Sequence, residues 1–81
     1  MINTSMSEVI AVIEKALEIE LGSLTENTLA EEVENWDSLG HLSILIKLDK
    51  MFDGKIANIA AMSEADSMTK IINILRQHNL I

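Results

Sequence analysis

The chain contains no proline and only three glycines in 81 residues, so very few positions interrupt a helix. Leu, Ile, Ala and Met supply most of its apolar residues, a composition that favours helices. No segment has the apolar–polar alternation that is typical of a strand. We therefore expect an all-α fold, built as a single domain over residues 1–81 because so short a chain holds only one core.

Apolar residues at helical spacing predict a small bundle of three main helices plus one short helix. Ser5 and Glu8 are spaced as a capping box at the start of the first helix. Asp66 and Ser67 are the caps of the last helix, which ends near residue 77. The first two main helices and the short helix are predicted at residues 7–21, 38–52 and 59–65. Residues 22–36 are predicted to form a long loop between helices one and two.

Composition excludes several classes of protein. A hydrophobic share of 48% rules out a disordered acidic tail, despite the net charge of −7. The pI of 4.5 argues against nucleic-acid binding, which needs clustered Lys and Arg. No apolar run approaches the length of a membrane span. The first seven residues lack the positive charge and apolar core of a signal peptide, which predicts a cytoplasmic protein.

The charge is concentrated in the first half of the chain. Residues 1–37 contain nine acidic residues and one lysine, whereas the remainder is nearly neutral. Such a surface is either an ordinary solvated face or one that steers basic partners toward the protein. The sequence leaves both interpretations open.

No pattern of catalytic or metal-binding residues stands out. Residues 49–54 imitate part of a calcium loop, but Met51 and Ala60 occupy two positions that need oxygen ligands. His41 and His78 are far apart and have no ligand partners at metal spacing, so His41 is expected to pack or cap. The chain also has no cysteine, no glycine-rich phosphate loop and no Ser/His/Asp spacing. We expect neither a metal site nor an enzyme.

The second helix carries two apolar stripes when residues are placed about 100° apart. The broad stripe contains five of them: Ile44, Leu45, Leu48, Met51 and Phe52. The short stripe lies on roughly the opposite side and contains Leu39, Leu42 and Ile46. A helix that is apolar all round is usually buried, so both stripes are expected in the core, or else the short stripe faces a partner.

The segment at residues 34–42, ENWDSLGHL, resembles the carrier-protein family, which includes acyl carrier proteins and their peptidyl and aminoacyl relatives. The mark of that family is Asp-Ser-Leu at the start of its second helix, here Asp37, Ser38 and Leu39. The resemblance extends over nearly the whole chain: an acidic first helix, a long loop, the motif, an apolar helix, a short helix and a final helix.

The resemblance implies a freestanding, monomeric carrier in which Ser38, flanked by Asp37 and Leu39, bears 4′-phosphopantetheine derived from coenzyme A. The terminal thiol of that arm would hold an acyl, aminoacyl or peptidyl thioester in fatty-acid, polyketide or nonribosomal peptide biosynthesis. The implied partners are a phosphopantetheinyl transferase, an acyl- or aminoacyl-loading ligase, and downstream synthase or transferase enzymes. A phosphodiester suits a helix N-terminus. The alternative role for Ser38 is that of a plain N-cap.

The resemblance also implies partner-binding residues. By position, the short stripe matches the exposed recognition face of the family. Family members often carry several acids along the second helix, whereas Asp49 is the only one here after Asp37. Acidic docking is therefore expected either to have moved to the loop residues Glu31, Glu32 and Glu34 or to be weak. The rival hypothesis is an acidic helical module whose short stripe binds a partner helix without covalent chemistry.

Overall fold

The computed structural model describes residues 5–81, which form a small all-helical bundle. Its helices are α1 (Met6–Ala16), α2 (Ser38–Met51) and α3 (Met68–Gln77). Three short 3₁₀ turns lie between them, at Ala30–Glu32, Ile56–Asn58 and Ala60–Glu64. The predicted all-α class and the three main helices are confirmed. Residues 1–4, part of the segment that was compared with a signal peptide, lie outside the described residues.

Each main helix begins at a polar side chain that accepts a backbone N–H of the first turn. Ser5 Oγ accepts from Glu8 N, Asp37 Oδ1 from Gly40 N, and Ser67 Oγ from Lys70 N. Such caps satisfy amide groups that have no partner within the helix. For α3 the predicted end at residue 77 and the Ser67 cap are confirmed, whereas the Asp66 side chain pairs with Lys70 instead of capping the helix. At Ser5 only half of the capping box forms, because the Glu8 carboxylate accepts from the Ser5 hydroxyl instead of the Ser5 backbone.

The first helix is shorter than predicted, because it ends at Ala16 and not near residue 21. Glu18 adopts a left-handed conformation with φ 57°, and the N–H groups of Glu18 and Ile19 donate back to the carbonyls of Lys15 and Glu14. This is the Schellman arrangement that closes helices, usually with glycine at the left-handed position. Leu21, the predicted last residue of this helix, lies outside it and is 67% exposed.

The long loop at residues 22–36 is ordered by contacts to both ends of the bundle. Leu24 and Trp36 insert their side chains into the core. Ala30 N donates to Asp66 O at 2.8 Å, and Met68 N donates to Thr28 O at 2.9 Å. A long structureless connection would count against so small a fold. Here the loop contributes side chains to the core and backbone hydrogen bonds to the start of α3.

The predicted short helix at residues 59–65 is a 3₁₀ turn at Ala60–Glu64, and the turn at Ile56–Asn58 precedes it. Asp49 connects this region to α2, because its Oδ1 accepts from Ala57 N at 2.9 Å. Asp53 and Gly54 close α2 as expected, with Gly54 N donating to Asp49 O at 2.8 Å. None of the helices within residues 5–81 is both long and apolar enough to cross a bilayer.

Candidate functional site

Ser38 is the first residue of α2 and its side chain is exposed. The N-cap is the preceding residue, Asp37, whose carboxylate accepts from Gly40 N at 2.8 Å. The alternative role of Ser38 as a plain N-cap is therefore wrong. No hydrogen bond within residues 5–81 engages the Ser38 hydroxyl. A free hydroxyl lies beside the N–H groups and the positive dipole end of a 14-residue helix.

An open groove of about 630 Å³ lies beside Ser38. Its walls are the end of the loop, the first two turns of α2, and the segment around Glu64 and Asp66. Asp37, Ser38 and Leu42 are the predicted site residues that it brings together. Leu39 borders a separate depression with Leu17 and Asn35, and Ile46 borders a third.

Trp36 and His41 form the inner wall of this groove. The indole Nε1–H of Trp36 donates to His41 Nδ1 at 3.0 Å, and the two ring planes are nearly parallel, 12° apart, with centroids separated by 6.2 Å. His41 Nε2 lies 2.9 Å from the carbonyl oxygen of Met62. Both ring nitrogens are therefore engaged, which confirms the expectation of a packing role. His41 cannot act as a base toward Ser38 in this arrangement.

Gly40 lets the loop pass close to the start of α2, and Asn35 is the loop residue that contacts it. A Cβ at Gly40 would overlap with the carbonyl oxygen of Asn35 and would lie 3.0 Å from a methyl group of Leu17. The Asn35 side-chain amide donates to Leu17 O at 2.9 Å, which ties the same loop residue to the end of α1. The sequence gives no signal for this close approach beyond the glycine itself.

The short stripe faces solvent over the first two to three turns of α2. Leu39, Leu42 and Ile46 are 76%, 51% and 51% exposed, whereas Ile44 and Leu48 of the broad stripe are fully buried. The alternative in which both stripes belong to the core is therefore wrong. The three exposed side chains form an apolar strip on the surface of α2 that begins next to Ser38.

We expect Ile46→Asp to change the free energy of unfolding by only about 0.5 kcal/mol, because the side chain is half exposed and leaves no cavity. The matched variant Ile44→Asp places a carboxylate at a fully buried position of the same helix and should cost several kcal/mol. Urea unfolding of the two variants measures the difference. Equal losses would assign the short stripe to the core.

An apolar pocket of about 320 Å³ lies between the second half of α2 and the two 3₁₀ turns that follow it. Leu45, Ile46, Ile56 and Ile59 line it, together with Asp49, Ser63 and two alanines. This pocket was not predicted, because its two walls are separated along the chain and meet only in the folded protein.

The acidic loop residues Glu31, Glu32 and Glu34 are all exposed, and none of them lines the groove beside Ser38. Glu32 has a local structural role, since its carboxylate accepts from Leu29 N at 2.8 Å. Of the neighbouring 3₁₀ turn, only Ala30 reaches the groove. These acids therefore flank the Ser38 region and do not form its lining.

Comparison with protein-family models, with curated proteins and with solved structures found no match to this chain. The interpretation of Ser38 therefore depends on its geometry and on the resemblance carried by residues 34–42.

Proposed function

We propose that this chain is a carrier protein whose Ser38 bears 4′-phosphopantetheine. The observation that carries the proposal is the exposed Ser38 hydroxyl at the first position of α2, while Asp37 performs the capping. A serine in a helix-start sequence ordinarily has the capping role itself. Here its hydroxyl is left free for a covalent bond.

The residues around Ser38 suit an attached phosphodiester. Ser38 Oγ would be the acceptor that displaces the nucleotide part of coenzyme A, with its proton passing to a base of the transferase. The unpaired N–H groups of the first turn of α2 favour negative charge at this point. The terminal thiol of the bound arm supplies the thioester chemistry that a chain without cysteine lacks.

The short stripe and the apolar pocket suit two further tasks of a carrier, which are docking to partner enzymes and binding of the cargo. The short stripe begins next to Ser38 and offers partner enzymes an apolar surface beside the attachment point. The pocket at Ile46 lies about 12 Å along the helix from Ser38, at 1.5 Å per residue. Its apolar lining favours an acyl cargo over a charged one.

The direct test is the intact mass of the protein after incubation with a promiscuous phosphopantetheinyl transferase and coenzyme A. The wild type should gain the mass of one phosphopantetheine. Ser38→Ala should gain nothing while keeping its helical circular dichroism, because Asp37 still caps α2. Ser43→Ala, on the same helix, should be modified as the wild type is.

Two outcomes would contradict the proposal. A full mass gain in Ser38→Ala would place the modification elsewhere. An unmodified wild type would favour the rival hypothesis, in which the short stripe of α2 binds a partner without covalent chemistry.

We expect the initial rate of that modification to fall as salt is raised, because exposed charges are screened beyond about 8 Å at physiological ionic strength. Charges at the edge of an interface act mainly on the rate at which the two proteins associate. Changing Glu31, Glu32 and Glu34 together to Gln should weaken the salt dependence, and Gln at 32 keeps the acceptor for Leu29 N.

Asp49→Asn is the matched control for the second helix. It removes the only acid of α2 after Asp37 but keeps the oxygen that accepts from Ala57 N. We expect a smaller effect than that of the triple loop variant. A larger effect of Asp49→Asn than of the triple loop variant would show that the acidic docking charge lies on α2.

A further inference from the structure

His41 connects three segments of the chain that are distant in sequence. Its Nδ1 accepts from the indole of Trp36 in the loop, and its Nε2 contacts the carbonyl of Met62 in the last 3₁₀ turn. An indole N–H can only donate and a carbonyl oxygen can only accept. The ring proton must therefore lie on Nε2, with Nδ1 bare, so the observed contacts require neutral His41.

A second proton on the His41 ring would break one of these two contacts, the hydrogen bond from Trp36. Protonated Nδ1 becomes a donor and faces the Trp36 donor at the present separation of 3.0 Å, so that hydrogen bond is lost. The contact to Met62 persists, because Nε2 donates in both states. Histidine is the side chain that changes charge between about pH 5 and 8.

His41 shares its groove with three acidic side chains. Asp37 at the cap of α2, Glu64 of the last 3₁₀ turn and Asp66 before α3 line the same groove. The hydrogen bond and the charge of Lys70, at 2.8 Å, hold the pKa of Asp66 below its ordinary value, so Asp66 stays ionised as the pH falls.

We propose that His41 is a pH-sensitive latch, which accepts the indole N–H of Trp36 when neutral and releases that N–H when protonated. Trp36 is the last loop residue before Asp37 and Ser38, and it is nearly buried. Loss of this bond would therefore remove one contact between α2 and the loop wall of the groove beside Ser38, while the indole ring stays packed in the core. The inference rests on the contacts of Trp36, His41 and Met62 and holds whether or not Ser38 is modified.

Nuclear magnetic resonance of ¹⁵N-labelled protein between pH 8 and pH 5 tests this latch. Trp36 is the only tryptophan, so the single indole N–H signal reports on the contact directly. Its protection from solvent exchange, relative to free indole at the same pH, should fall about tenfold, the equivalent of one hydrogen bond. The change should follow the titration of the His41 ring signals, while the amides of α1 and α3 stay protected.

His41→Gln should keep an acceptor for Trp36 and should show no such step. His78→Gln changes the other histidine, which is exposed at the end of α3, and should keep the step. The latch is refuted if indole protection stays constant while the His41 ring titrates, or if the fold is lost before that ring titrates. It is also refuted if His41→Gln shows the same step; should that variant fail to fold, the wild-type titration decides alone.

Discussion

Replacing Glu14 with alanine should lower the free energy of unfolding by about 2–5 kcal/mol, because two backbone donors would lose their acceptor. The Glu14 side chain is buried, and its Oε2 accepts from Gly22 N at 2.8 Å and from Leu24 N at 3.0 Å. These bonds hold the start of the loop against α1, immediately after the helix ends. Alanine would leave the amide of Leu24 buried and unpaired.

Two further variants test whether the missing acceptor causes this loss of stability. Glu14→Gln keeps a side-chain oxygen of the same reach, so its loss should be smaller, limited to the weaker bond of an uncharged acceptor. Glu20→Ala removes an exposed carboxylate nearby and should change stability by no more than about 0.5 kcal/mol. Urea unfolding with its slope recorded measures all three. A Glu14→Ala protein as stable as Glu20→Ala would show that the loop does not depend on this carboxylate.

Gly40→Ala should destabilise the protein by about 1–3 kcal/mol, the usual cost of forcing extra atoms into a packed contact. An unconstrained glycine inside a helix would behave in the opposite way and would gain about 0.5–1 kcal/mol on replacement by alanine. The sign of the change therefore reports whether the loop carbonyl of Asn35 packs against α2. That carbonyl belongs to the backbone and cannot rotate aside as a flexible side chain would.

The same substitution should also slow the modification of Ser38, because the loop that ends at Asp37 would have to move away from α2. Lys47→Ala, at an exposed position of the same helix, is the matched control and should change neither quantity appreciably. Thermal unfolding and the initial rate with the transferase measure the two effects. A Gly40→Ala protein that is more stable than the wild type would show that the Asn35 carbonyl does not pack against Gly40.

Three features of the fold follow from the sequence alone because they depend on neighbouring residues. The caps at Ser5, Asp37 and Ser67 each bond an amide three residues ahead. Apolar spacing likewise identifies the core faces of the helices, since that spacing is a property of one helix. The candidate site was found in the same way, from a motif of three consecutive residues.

Other features were decided only by tertiary structure. The burial of one stripe of α2, the anchoring of the loop by Glu14 and the Trp36–His41–Met62 chain depend on segments that meet after folding. Their hydrogen bonds join residues as far apart as Glu14 and Leu24, or His41 and Met62. Local spacing carries no information on such pairs, because the approach of two distant segments is set by how all three helices pack around the shared core.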